Sequence, residues 1–163
     1  MANSNIYLKL GDLKGESLDK DHNEWIEVES FSWGVDNPAS FSIGQGGQAT
    51  QAHISAINVA KYCDASSVTL FQASTTGKHI DKGTIHCLKL DGQDRKKYLI
   101  IELEDIVVSG LQWSGSGSES GLHEHLSLAF ARFRQTYNLQ TDKGDLGGGT
   151  NFGYDIQKSD PNF

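Results

Sequence analysis

Between Lys97 and Val108 the sequence KYLIIELEDIVV carries apolar residues at both parities: Leu99, Ile101, Leu103 and Val107 are backed by Tyr98, Ile100, Ile106 and Val108. Successive side chains of a β-strand point to opposite faces, so a strand written this way has two greasy faces to hide. Two other stretches share the problem. Ile26 and Val28 face one way while Trp25, Phe31 and Trp33 face the other, with Glu27 and Glu29 between them, so the apolar face switches near Ser30. In the run from Leu122 to Leu139, Leu126, Leu128 and Phe130 lie on one side, then Phe133, Tyr137 and Leu139 on the opposite side. A soluble monomeric barrel needs one apolar face, and contiguous exposed apolar patches are uncommon on such proteins. Either the chain's own helix and bulged corners cover the outer faces, or another subunit does. One helix of roughly three turns shields little of a sheet, so self-association is the better reading.

Shorter alternations mark further strands. Ile6, Leu8 and Leu10 alternate with Asn5, Tyr7 and Lys9 up to Gly11-Asp12, and similar patterns run over Ala52 to Lys61, Thr84 to Leu90 and Asn151 to Gln157. Asp91-Gly92 predicts a tight antiparallel hairpin with positive φ at both central residues. One helix is expected, capped by Asp64, carrying Val68, Leu70, Phe71 and Ala73, and ended by Gly77 in the left-handed conformation. The glycine-rich stretches Gly44 to Gly47, Ser114 to Gly121 and Gly147 to Gly149 read as loops. With 163 residues, 18 glycines, 2 prolines and no internal repeat, the chain reads as one mainly β domain spanning 1–163.

A net charge of −7, with no basic run longer than Arg95-Lys96-Lys97, disfavours nucleic acid as a partner. The opening MANSNIYLKL has no basic or long apolar segment of a secretory signal, and no apolar run reaches membrane-spanning length. Synthesis in the cytoplasm without a signal peptide, and no membrane insertion, are the expectations. Cys63 and Cys87 are then expected as reduced thiols rather than a disulfide.

Four groups invite a chemical reading. Asp19, Asp21, His22 and Glu24 are crowded ahead of Trp25, but the D-x-D-x-D-G register of a calcium loop is missing, and a solvated surface loop is expected. His123 and His125 share one strand face at a spacing that can chelate zinc or copper, yet further ligands are not evident. The segment Gly117-Ser118-Glu119-Ser120-Gly121 puts Glu where a nucleophile elbow needs Ser, and Gly77-Lys78-His79 lacks the pattern of a phosphate loop. No catalytic, cofactor or metal residue is therefore assigned, and the chain is not expected to be an enzyme. A monomeric β-barrel binding a small ligand is one competing reading, told apart by native mass. A metal-dependent hydrolase built on His123 and His125 is another, told apart by bound zinc.

Three segments carry a resemblance: YLKLGDLKGESLDKDHNEWIEVESFSWG (Tyr7 to Gly34), LFQASTTGKH (Leu70 to His79) and YLIIELEDIVVSG (Tyr98 to Gly110). Together they resemble the haemolysin-coregulated protein family, the inner tube of type VI secretion systems, itself similar to phage tail-tube proteins. The likeness spans nearly the whole chain, including the closing FGYDI at Phe152 to Ile156, and GES-x-D-x-x-H followed by S-W-G is its most specific part. Trp113 and the His123/His125 pair lie outside that motif. The resemblance implies a two-sheet β-barrel flanked by one short α-helix and assembling as a hexameric ring. Rings would stack into a conduit with a spike protein and a contractile sheath as partners, carry small effector proteins in the lumen, and be exported to the extracellular space or a target cell. On this reading the apolar Trp25, Phe31 and Trp33 close the ring. Gly44, Gln45, Gly46 and Gly47, within Phe41 to Gln48, reach the adjacent ring, and Ser114, Gly115, Ser116 and Gly117 lie toward the lumen.

Overall fold

The structure, a computed structural model, describes residues 4–42, 45–49, 51–140 and 146–163. In chain order its elements are β1 (Ile6–Leu10), β2 (Ile26–Glu27), β3 (Ser30–Ser32), β4 (Val35–Asp36), β5 (Ala39–Ser42), β6 (Gln45–Ala49), β7 (His53–Ile54), β8 (Ile57–Tyr62), α1 (Ser67–Thr76), β9 (His79–Asp91), β10 (Asp94–Ser114), β11 (His123–Gln140) and β12 (Leu146–Asp155). Eight strands make one antiparallel sheet in the order β2-β1-β9-β10-β11-β8-β3, with β12 also on β11. β4 pairs β7 and β5 pairs β6 in two-stranded sheets. β11 is the spine. One edge follows β10 from Ser114↔His123 to Leu99↔Tyr137, while the other is divided between β8, at residues 123–128, and β12, at residues 132–140.

The expected two-sheet barrel is instead one strongly curled sheet that forms a half-barrel and closes around its own core, with small sheets and the helix beside it. The cause lies in mid-strand changes of face. In β10 the buried apolar side chains are Ile101 and Leu103, then Ile106 and Val108; in β11 they are Leu126 and Leu128, then Ala131 and Phe133; in β9 Ile80 precedes Ile85, Cys87 and Leu88. Leu103 still faces Phe133, and Val108 still faces Leu128, so neighbouring strands change face at one level and the sheet folds over there. Much of the two-sided apolarity of KYLIIELEDIVV is therefore one core approached from both parities.

The pivot in β10 is Asp105, whose φ of +54° is left-handed. Asp tolerates that region better than most side chains, and its carboxylate accepts a 2.6 Å hydrogen bond from His79 Nδ1. Asp105→Val should cost about 1–2 kcal/mol, because a β-branched side chain at positive φ is strained; unaltered denaturation of that variant would show that the pivot is not under this constraint.

Local chemistry explains the remaining elements, with some corrections. The two-residue hairpin loop is Gly92-Gln93 between paired Asp91 and Asp94, one residue later than expected, and Gly92 alone has positive φ (+60°). Glycine at the first central position suits a type II′ turn. The helix cap is Ser66 rather than Asp64, although the Asp64 carboxylate takes the Ser66 N–H at 2.9 Å, and Gly77 ends the helix at φ +65° as expected. Leu70 and Ala73 face the core, while Val68 and Phe71 are exposed.

Gln45 to Gly47 are not loop but the start of β6, paired across a hairpin with β5, and Gly44 lies outside the described residues. Gly147 to Gly149 likewise lie within β12. Glycine hides a strand from side-chain periodicity without weakening its claim to a backbone ladder. At Gly149 a Cβ would lie 2.7 Å from Asn138 Oδ1, so a larger residue there would have to turn the Asn138 amide aside.

Candidate functional site

The loop from Gly11 to Trp25 is not the solvated segment its charges suggest. His22 is fully buried and Ser17 nearly so. The Asp19 carboxylate accepts His22 Nδ1–H at 2.8 Å, the backbone N–H groups of Asp21 and His22 at 3.1 Å each, and Arg95 Nη1 at 2.9 Å. Burial alone would raise this carboxyl, but hydrogen bonding from His22 and Asp21 and the charges of His22 and Arg95 outweigh it and hold Asp19 below its usual value. His22 Nε2 meets His86 Nδ1 at 2.9 Å, Tyr7 stacks on the His22 ring at 4.4 Å, and Trp25 packs edge-on at 4.9 Å. Burial first, then the charges of Lys97 and His22, push His86 down to about 4, so its imidazole is neutral near pH 7. Both ring nitrogens of His22 are engaged within this chain of Asp, His and His. Its work is to dock the loop on β1 and β9.

A second buried polar group joins four elements. Lys61 Nζ of β8 lies 2.6 Å from Glu124 Oε2 of β11, both side chains fully buried, and also donates to Asp64 Oδ1 (3.0 Å), Ser67 Oγ (3.2 Å) and the Tyr62 carbonyl (3.1 Å). Glu124 accepts from Ser67 Oγ of α1 (2.8 Å) and Trp113 Nε1 of β10 (3.0 Å).

The residues expected at the subunit contact are half-buried and engaged within the protomer. Trp25 belongs to the His22 cluster, and its ring centroid is 4.7 Å from that of His86. Phe31 packs against the core. Trp33 meets Phe133 edge-on at 4.9 Å and donates its Nε1–H to the Ser55 carbonyl at 3.1 Å. Ser114, expected in the loop, is instead the last residue of β10, and Gly115 to Gly117 begin the exposed loop. His123 is half-buried beside Tyr62 and 3.5 Å from Glu29, while His125 is exposed. Among the described residues no three His, Cys, Asp or Glu side chains are grouped to hold a metal ion.

Two apolar surfaces are exposed, of which the sequence pattern marks only Tyr137 and Leu139 as an outer strand face. At one end of β10 and β11, Tyr62, Val68, Phe71, Trp113 and Leu122 are exposed, with Phe71 and Trp113 rings 5.1 Å apart. At the other end, Leu90, Tyr137, Leu139 and Phe152 are exposed, with Tyr98 edge-on to Tyr137 at 6.2 Å. Roughly 45 Å of strand separates Trp113 from Leu99, the partner of Tyr137. Beside the Trp113 end lies an open groove of about 580 Å³, whose lining alternates polar Ser30, Ser32, Asn58, Gln112, His125 and Ser127 with apolar residues such as Phe31 and Leu111.

Comparison with known proteins agrees with this architecture. The family model described as "Type VI secretion system effector, Hcp" matches residues 7–137. Protein hcp1 of Pseudomonas aeruginosa PAO1 is 35% identical over 155 residues, covering 94% of this chain and 96% of that protein. A solved structure of a type six secretion system protein superposes with a TM-score of 0.91 at 28% identity, covering 97% and 99% of the two chains. Hcp1 from Salmonella typhimurium follows with a TM-score of 0.78, also at 28% identity, covering 94% and 95%.

Proposed function

The chain belongs to the Hcp family of type VI secretion tube proteins, and from that membership and its surface we propose that it assembles head-to-tail into a closed hexameric ring. Hcp proteins are secreted structural tube proteins and not enzymes, and the chain shares that character. The observation that carries the assembly reading is the pair of unlike apolar surfaces at opposite ends of β10 and β11. A contact between two different patches is heterologous, and a heterologous contact whose rotation closes generates a ring. The exposed parts of Trp25, Phe31 and Trp33 join this contact at its margin.

Rings stack through the β5–β6 hairpin, Phe41 to Gln48, whose Phe41 is 87% exposed. Small polar and glycine-rich faces suit stacking that must form and come apart, whereas ring closure uses the larger apolar surface. Ser114 to Gly117 and the groove lie toward the lumen, where small effector proteins travel. The spike and the contractile sheath are the other partners, and the assembled tube leaves the cell by type VI secretion.

Native mass spectrometry with negative-stain imaging tests this reading. Particles of six 17.8 kDa chains and annular images are expected. A single 17.8 kDa particle at high concentration, with no annuli, would sink it. Replacing Gly44 to Gly47 by a short rigid turn should leave isolated rings intact and shorten stacks; stacks of unchanged length would remove the hairpin from the ring-to-ring contact.

A further inference from the structure

Beneath the 11–25 loop two imidazoles meet nitrogen to nitrogen, with His22 Nε2 2.9 Å from His86 Nδ1 and His22 Nδ1 2.8 Å from Asp19. With His22 Nδ1–H given to Asp19, the neutral pair keeps one proton in the gap, carried by His86 Nδ1 and donated to His22 Nε2. One additional proton goes to the outer nitrogen of His86 and leaves that bond in place, but it charges a buried ring beside Lys97 and so already weakens the closed loop. A second puts N–H groups on both facing nitrogens, and the hydrogen bond becomes an opposition of two donors on two cations. We propose that Asp19, His22 and His86 are a proton-operated latch, which holds the 11–25 loop against β1 and β9 while both imidazoles are neutral and lets it swing away as protons are taken up.

The surroundings make the doubly protonated state costly. From β10, Lys97 adds positive charge near His86, and Arg95 shares Asp19, so that carboxylate is not free to offset two imidazolium rings. From β1, Tyr7 covers the His22 ring and itself accepts from Arg95 at 3.1 Å; from β2, Glu27 stands opposite Tyr7, one strand away. Trp25 closes the remaining side.

Gly11 N donates to the Lys82 carbonyl and fixes the start of the loop on β9, while the bonds from Gly15 N to the Glu24 carbonyl, Glu24 N to the Ser17 carbonyl and Ser17 N to the Trp25 carbonyl are internal to it. Its side-chain hydrogen bonds to the sheet are His22 to His86 and Asp19 to Arg95, so losing the first leaves one such bond to hold the part beyond Leu13, which packs on the core. Because His86 is held below its unfolded value of 6.5, at about 4, the folded loop binds fewer protons than the open one. Its stability is whole above 6.5 and is lost as pH falls toward 4.

Amide exchange corrected for intrinsic rates, together with imidazole nitrogen shifts, tests the latch on the full chain from about pH 7 to about pH 4. The Ser17, Glu24 and Trp25 amides should lose protection by about tenfold or more across that range, in step with the His86 ring, while β10 and β11 amides keep theirs. His86→Asn offers an amide donor near the Nδ1 position and cannot titrate, so its loop should stay protected at the acid end. Lys97→Gln keeps both imidazoles and should move the opening to lower pH, and it decides the matter alone if His86→Asn does not fold. Flat wild-type protection down to the acid end overturns the latch, and so does opening of the variants at the wild-type midpoint.

Discussion

Lys61→Ala should lower stability by about 3–5 kcal/mol, the largest effect of any single polar substitution expected here. The reason is what remains behind. Glu124 would stay fully buried with its charge uncompensated, keeping only Ser67 Oγ and Trp113 Nε1 as donors, while the Asp64 carboxylate would lose its cation. For a chain of this size that corresponds to a fall in Tm of roughly 10 °C. The paired change Lys61→Met with Glu124→Leu should recover part of the loss, since replacing both buried charges removes the desolvation cost but strands Ser67 and Trp113 without their acceptor. Denaturation at concentrations below assembly measures both. A loss under about 1 kcal/mol for Lys61→Ala would mean that water reaches the pair.

The second large effect concerns assembly. Phe71→Glu disables one apolar surface and Leu139→Glu the other, and both positions are exposed, so the fold should tolerate each change. Either variant alone should run as a single chain, with ring contacts weakened by about a hundredfold or more. Mixed, they should form a dimer and stop there: each supplies the surface the other has lost, and the remaining ends are both disabled. Light scattering coupled to chromatography distinguishes the outcomes. Homodimers of one variant would point to an isologous contact, and hexamers from either would take that surface out of the ring. Trp33→Asp is a poorer probe. Trp33 packs on Phe133 and bonds to Ser55, so its loss harms the protomer before any contact between subunits.

How much of this could be read in advance depended on whether side chains reported the backbone. The long strands, the helix ending at Gly77 and the hairpin near Gly92 were legible, because periodicity and turn chemistry are local. Family membership was legible in GES-x-D-x-x-H and S-W-G. β6 and the start of β12 were not, because glycine carries no facing preference. The pivot at Asp105 was missed because Tyr98 to Ile101 before it and Ile106 to Val108 after it are apolar at both parities, which mimics an outward greasy face. His22 was missed because exposed Lys20 and Asp21 beside it read as solvent.

Lys61 and Glu124 were within reach. Lys61 shares parity with Ile57 and Val59, and Glu124 with Leu126 and Leu128, so both charges fall on inward positions of adjacent strands.

The strand order also has a consequence for synthesis. β1 pairs with β9, and β8 with the first part of β11, so strands emerging early from the ribosome meet their partners only after more than half of the chain has been made. β9 through β12 form a run of neighbouring antiparallel pairs that can zip as it appears, whereas closing the amino-terminal strands onto it bears the loop entropy of distant contacts. Nascent chains should therefore carry bare strand edges in their first third, and it is there that a holding chaperone would find most to bind.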